Sequence, residues 1–294
     1  MSRALRWALG VNLAFVVVEF AGGYLGQSLA LISDAVHNLT DVPSMSLSLF
    51  ALYAQRRPAD SQRTYGYQRS GVLAAFVNAL VLIAVALYIF YHAYLRLLTP
   101  VSVHTGWMLW VSAAGIGVNG GIAWGMWRGR RDLNLRTVLI HNAGDAASNL
   151  AILVGALVIA ATGWYVMDSL LGFAIGVAVL WSAWSVLRET THILLEGTPR
   201  ELRVEDVARA MLKVPGVAEV HDVHIWSLAA HLHALSCHVR IEEMPTRESE
   251  KILAQLNALL ARDFGINHTT IQFEPRTTPV PAHFVPSQTK EKDS

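Results

Sequence analysis

HNLTD at residues 37–41 and HNAGD at residues 141–145 both follow the pattern H-N-x-x-D, and each lies inside a long apolar stretch. A histidine and an aspartate four residues apart on a helix project from one face, one turn apart. Ionisable side chains inside a hydrophobic span are costly and rare, and they mostly mark ion or proton pathways. The repeated pattern therefore predicts two helices whose polar faces meet in the interior of a membrane bundle.

The composition of the chain agrees with a membrane location. Of its 294 residues, 53% are hydrophobic and 15% are charged, and the mean hydropathy is +0.37; such values are typical of a membrane protein. The formal net charge of +1 gives no indication of a nucleic-acid partner. Cys237 is the single cysteine, which excludes an internal disulfide and a zinc site built from cysteines.

The apolar stretches predict six membrane spans. Each is long enough to cross about 30 Å of hydrocarbon, and they cover residues 5–25, 28–54, 71–97, 104–128, 136–160 and 167–188. Arginines cluster at the N-terminus and in the second and fourth connections between spans. The other three connections contain a single arginine, Arg96. This bias places both ends of the membrane unit in the cytoplasm. The fourth and sixth spans are rich in glycine, which lets membrane helices pack closely.

The composition becomes that of a soluble domain after Glu196. Helices are predicted at about 203–213 and 246–264, and strands at about 217–227, 231–243 and 267–274. The order αββαβ indicates a small α+β sandwich of the ferredoxin-like kind. The predicted organisation is a six-helix transmembrane domain over 1–196, a soluble domain over 197–276 and a disordered tail over 277–294.

His37, Asp41, His141 and Asp145 are candidate ligands of one metal ion. Two imidazoles and two carboxylates form a tetrahedral N2O2 set that suits Zn²⁺. The two carboxylates neutralise a divalent cation, and protons compete with the metal for the same atoms. A bundle that alternates between inward-open and outward-open forms around this site exchanges protons for metal. Because the proton gradient of most cells points inward, we expect efflux of Zn²⁺ from the cytoplasm.

Two carboxylates near this face have open interpretations. Asp34, one turn before His37, either lines the entrance to the site or caps a helix turn. Glu19 in the first span either relays protons or makes a hydrogen bond to a neighbouring helix. A buried His–Asp pair that only tethers helices is an alternative for one copy of the pattern. Two copies in the two most polar spans favour a metal site.

Taken together, these features resemble the cation diffusion facilitator family of proton-coupled zinc exporters. The resemblance covers nearly the whole chain and rests on the 28–41 stretch, His141 and Asp145, residues 65–69 with 74–79, residues 220–228 and residues 268–274. It implies a homodimer in the lipid bilayer, and it implies that a His-Asp pair on both helices favours zinc. The short arginine-rich turn at 128–132 fits the bacterial subgroup, so we expect a multi-pass protein of the inner (plasma) membrane with both termini in the cytoplasm.

The same resemblance implies a second metal site in the soluble domain. His221, His238 and Glu274 match positions where relatives hold regulatory zinc ions at the dimer interface, and His224 and His268 are near enough to substitute. Gln272 stands where relatives have a further histidine. The alternative is that these are surface or strand-pairing histidines.

Three rival functions remain. A broader exporter of Zn²⁺, Co²⁺ and Cd²⁺ is the first, because N2O2 geometry does not exclude these ions. A metal sensor that does not transport is the second. The third is an intramembrane metalloprotease, which needs a general base as in H-E-x-x-H; neither the second nor the fifth span has such a glutamate. We therefore expect no enzymatic activity.

Overall fold

The computed structural model describes residues 3–39, 59–127, 133–229 and 232–275. The described residues form two compact units. The helical unit contains the described residues up to 39 and residues 75–187, and the sheet unit contains residues 59–74 and 188–275. The predicted tail at 277–294 lies outside the described residues.

A helix lies in each of the six predicted spans. These helices are α1 (Arg3–Gly26), α2 (Leu29–Leu39), α3 (Ser70–Leu98), α4 (Thr105–Trp127), α5 (Leu133–Thr162) and α6 (Val166–Leu194). Among the described residues, three segments are long and apolar enough to cross a membrane: Ser70–Leu98, Leu139–Thr162 and Val166–Leu194. The prediction of a helical membrane protein is thereby confirmed. The second predicted span continues past Leu39 into residues outside the described ranges.

The surfaces of these helices suit lipid. Trp181, Trp110 and Trp124 are 81%, 80% and 79% exposed. Large apolar side chains this exposed along apolar helices are typical of a surface that faces lipid or the membrane interface.

Glycine permits close helix contacts at some of the predicted positions. A Cβ atom on Gly172 of α6 would lie 2.9 Å from Cγ of Leu29, and one on Gly176 would lie 2.9 Å from Cε1 of Phe90. In α4 the pattern is different, because a Cβ atom on Gly117 or Gly121 would meet nothing within 4 Å among the described residues. The glycines of α6 thus serve helix packing, whereas Gly117 and Gly121 approach none of the described helices closely.

The sheet unit contains α7 (Val204–Met211), β1 (Val217–Ala229), β2 (Leu232–Ile241), α8 (Thr246–Phe264) and β3 (Ile266–Pro275). This is the predicted order αββαβ. The strand order is β1-β2-β3; β1 and β2 are antiparallel, and β2 and β3 are parallel with α8 as the crossover.

The apolar face of this sheet packs on the two helices. Leu235 and Val239 of β2 share a core with Met211 of α7 and with Leu256 and Leu260 of α8. Because side chains alternate along a strand, the residues between the core positions face the opposite side. Histidines occupy several of those positions.

Candidate metal centres

Helices α2 and α5 bring three of the four predicted transport ligands together. Nε2 of His37 lies 3.9 Å from Oδ1 of Asp145, and Nε2 of His141 lies 3.4 Å from Oδ2 of the same carboxylate. The Asp145 side chain is 3% exposed, and the His37 and His141 side chains are 31% and 36% exposed. Asp41, the fourth predicted ligand, lies outside the described residues.

The spacing of these atoms suits a tetrahedral cation. Bonds of about 2.0–2.1 Å to zinc place neighbouring ligand atoms of a tetrahedron about 3.3 Å apart. The 3.4 Å separation matches that value, and the 3.9 Å separation exceeds it by a fraction of an ångström. Each imidazole approaches a different oxygen of Asp145, so the carboxylate lies between two nitrogen donors.

Asp34 lies inside the bundle and bonds to α5. Its Oδ1 accepts a hydrogen bond from Ser148 Oγ at 2.5 Å, and its Oδ2 accepts one from Asn149 Nδ2 at 2.9 Å. Asn149 Nδ2 also donates to the backbone oxygen of Asp145 at 3.1 Å. Of the two interpretations of Asp34, capping of a helix turn does not describe these contacts, since its partners are on another helix.

Glu19 joins α1 to the same two helices. It is fully buried. Asn38 Nδ2 of α2 donates to its Oε2 at 2.7 Å, and Asn149 Nδ2 of α5 lies 3.4 Å from its Oε1. The expected hydrogen bond to a neighbouring helix is therefore present. Sequence reasoning did not identify Asn149 as the residue that bridges the two carboxyl groups; its position one turn after Asp145 was the available signal.

A further buried carboxylate anchors the first turn of α2. Asp168 of α6 accepts hydrogen bonds from Ser28 Oγ at 2.5 Å, from the backbone N–H of Leu29 at 2.7 Å and from that of Ala30 at 3.2 Å. Nη1 of Arg96 on α3 lies 3.3 Å from the same carboxylate. The free N–H groups and the positive dipole end of a helix favour an anion. Sequence reasoning missed this contact.

The sheet register assembles the second predicted cluster. His221 of β1 pairs with His238 of β2, and His238 pairs with Gln272 of β3, two residues before Glu274. Nε2 of His221 lies 3.2 Å from Oε2 of Glu274, and Nδ1 of His238 lies 2.9 Å from Oε1. One ligand atom from each of the three residues lies within 4.8 Å of the others. Such a triad is able to hold a metal ion.

Other nearby groups differ in their relation to this cluster. Asp222 Oδ2 lies 3.8 Å from Nε2 of His238, and Asp222 Oδ1 lies 3.0 Å from Nε2 of His224. His224 is therefore at the edge of the cluster. His268 lies four residues before Gln272 on β3, and its ring contacts Tyr65 edge-on at 5.2 Å, so the structure does not bring it to the triad.

Cys237 belongs to the core of the sheet unit and not to the cluster. It is buried, and burial, aided by the negative charge of Asp222, raises the pKa of its thiol to about 12. A thiol binds metal as the thiolate. The Cys237 side chain packs in the apolar core of the sheet unit, on the face of β2 opposite to His238.

Apolar helices with a polar His–Asp face, followed along the chain by a small sheet unit, characterise a membrane protein that handles metal cations. Residues 5–195 match the model of the cation efflux transmembrane domain, and residues 199–276 match that of the cytoplasmic domain of cation efflux proteins. The chain belongs to the cation efflux family, the cation diffusion facilitators. This confirms the resemblance inferred from the sequence.

Named relatives match almost the full chain. The metal cation efflux system protein CzcD of Cupriavidus metallidurans is 37% identical, with 92% of this chain and 86% of the relative covered. The cadmium, cobalt and zinc/H(+)-K(+) antiporter of Bacillus subtilis is 38% identical, with 88% and 85% covered. The zinc transporter ZitB of Escherichia coli is 35% identical, with 93% and 87% covered. Among solved structures, the metal-bound C-terminal domain of CzcD from Cupriavidus metallidurans is 38% identical. The match covers 25% of this chain and 99% of the solved domain, with a TM-score of 0.23.

Proposed function

We propose that this protein exports Zn²⁺ from the cytoplasm in exchange for protons, by alternating access around His37, Asp41, His141 and Asp145. The observation that carries the proposal is the buried Asp145 carboxylate, which has imidazoles from two different helices within 3.9 Å. A site shared between two helices changes its geometry when the helices move. A site on one helix would not.

The charges at the site support exchange with protons. A buried carboxylate such as that of Asp145 is costly without a positive partner, and either a divalent cation or a proton supplies one. Metal binding needs neutral imidazoles and ionised carboxylates, so protons and metal exclude each other. The Bacillus subtilis relative is named as an antiporter that uses H⁺.

Zinc is the first choice of substrate, and a broader divalent range is the second. The imidazole–carboxylate set suits Zn²⁺ but does not exclude Co²⁺ or Cd²⁺. The E. coli relative is named for zinc and the B. subtilis relative for cadmium, cobalt and zinc. Uptake into membrane vesicles, measured separately with Zn²⁺, Co²⁺ and Cd²⁺, would rank the three ions as substrates of this protein.

The sheet unit is proposed as a cytoplasmic dimerisation and metal-sensing domain over 197–276, following a transmembrane domain over 1–196. In this proposal His221, His238 and Glu274 hold zinc, and the protein is a homodimer in the inner membrane with both termini in the cytoplasm. Both ring nitrogens of His221 are buried without a hydrogen-bond partner among the described residues, which fits a side chain that binds a metal ion. Loss of one bound zinc per chain in His221→Ala, measured by metal analysis, is the expected result.

Zinc uptake into inside-out vesicles tests the transport proposal. We expect uptake to rise when the vesicle interior is acidic and Asp145→Asn to abolish it. His92→Asn is the matched control, because His92 contacts only Tyr88 and Tyr91 among the ring contacts that the structure shows on α3. A rate of zinc uptake that is the same with and without the pH gradient would reject proton exchange. Normal flux in Asp145→Asn would reject the site.

A further inference from the structure

Glu19 and Asp34 form a carboxyl pair that the metal site does not use. Both side chains are fully buried. They share the amide of Asn149, at 3.4 Å from Glu19 Oε1 and 2.9 Å from Asp34 Oδ2, and they lie within hydrogen-bonding reach of each other. Two ionised carboxylates so close repel each other in a dry surround, whereas one proton between them makes a hydrogen bond.

The contacts decide which member of the pair holds the proton. Asp34 accepts hydrogen bonds from Ser148 at 2.5 Å and Asn149 at 2.9 Å, which stabilise its ionised form. Glu19 has one comparably short donor, Asn38 at 2.7 Å. These contacts favour Asp34 as the ionised member of the pair and Glu19 as the member that carries the proton.

Within the described residues, the segments of the helices that surround the pair offer no lysine or arginine in place of that proton. The titratable groups near the pair are His37, one turn after Asp34 on α2, and His141 and Asp145 on α5. Helix α4 has no charged residue. Lysine and arginine are absent from the corresponding parts of the sequence, which are residues 10–39, 105–127 and 137–162. A buried anion pair without a cation favours a proton.

We propose that Glu19 holds a proton against Asp34, and that metal binding at the His–Asp site releases this proton. Asp34 is one turn from His37, and Asn149 donates to the backbone oxygen of Asp145 at 3.1 Å. A divalent cation held at the neighbouring His–Asp site favours the ionised form of both carboxyl groups. The O–H bond of Glu19 then breaks, its electron pair stays on the carboxylate, and the proton passes to water. This proton is the one exchanged in the proposed antiport, so the inference rests on that proposed function.

Infrared spectroscopy of the full-length protein in lipid nanodiscs tests the protonation directly. A protonated carboxylic acid has a C=O stretching band that a carboxylate lacks. We expect Glu19→Gln to remove a band at neutral pH, because the amide keeps the shape of the neutral acid. The matched control Glu250→Gln changes an exposed glutamate of α8 and should leave the band in place. A band that persists in Glu19→Gln overturns the proposal.

Proton release on zinc binding tests the link to the metal site. Zinc is added to weakly buffered protein with a pH indicator, at equal zinc occupancy for each variant. Glu19→Gln should release about one proton fewer per zinc than wild type, and Glu19→Asp, which stays ionisable, should restore it. Unchanged release in Glu19→Gln overturns the link. This assay measures binding only, so failure of the antiport itself appears separately, as wild-type flux that ignores the pH gradient.

Discussion

Gly115 of α4 is the position where a single methyl group should do the most damage to the buried polar network. A Cβ atom there would overlap the amide of Asn149, with Cγ at 2.5 Å and Nδ2 at 2.9 Å. Asn149 must then rotate or α4 must move away. Rotation would break the hydrogen bonds from Asn149 to Asp34 and Glu19.

The expected cost follows from these bonds. Leaving a buried acceptor without its partner costs about 1–3 kcal/mol, and hydrogen bonds between membrane helices average about 0.6 kcal/mol. Alanine regains about 1 kcal/mol through its better helix propensity. With that gain subtracted, we expect Gly115→Ala to lower the free energy of unfolding by about 0–2 kcal/mol relative to wild type, and by about 1–3 kcal/mol relative to an alanine that meets no neighbour.

Gly117, two residues along the same helix, is the matched control. A Cβ atom there would meet nothing within 4 Å of the described chain, so Gly117→Ala should be neutral or stabilise by up to about 1 kcal/mol. The measurement is reversible unfolding of both variants in mixed micelles, followed by tryptophan fluorescence. Equal stability of the two variants would refute the assignment of Asn149 as the bridge between helices.

Two further predictions concern a buried carboxylate and a buried thiol. Asp168→Ala should destabilise the helical unit by about 1–3 kcal/mol, because it leaves the buried N–H groups of Leu29 and Ala30 without their acceptor; an unchanged unfolding midpoint would contradict the anchor. For Cys237, burial and then the charge of Asp222 raise the thiol pKa from 9.0 to about 12. The unfolded thiol thus ionises first, and this contribution to stability is complete below pH 9 and is lost as the pH rises toward 12. Chemical unfolding across that range should show a steeper loss for wild type than for Cys237→Ala, and parallel curves would disprove the effect.

The sheet unit was predictable almost residue by residue. Its helices and strands lie within a few residues of the predicted bounds, because alternation of apolar residues in β2 and helical spacing in α8 are strong local signals. In the helical unit, apolar length alone located all six helices. The convergence of His37 and His141 on Asp145 was also predicted, since the repeated pattern requires only that two helices face each other.

The contacts that were not predicted depend on three helices at once. The Asn149 bridge needs α1, α2 and α5 in one register, and the Asp168 anchor needs α2, α3 and α6. The spacing of residues in the sequence indicates which of them share a face of one helix. It does not indicate which residues of a second helix lie at the same level along the bundle. The sequence also did not show that His268 lies against Tyr65, because the two residues are about 200 positions apart along the chain and no local pattern links them.

The anchored start of α2 has a geometric consequence. Leu29 is fixed to Asp168 by its backbone, while His37 lies eight residues further along, or about 12 Å at 1.5 Å per residue. A swing of α2 by about 10° about that fixed end displaces His37 by about 2 Å. A gap of 3.9 Å between His37 and Asp145 is sensitive to a step of that size, so in the proposed transport cycle a pivot of about 10° would be enough to separate or join these two ligands.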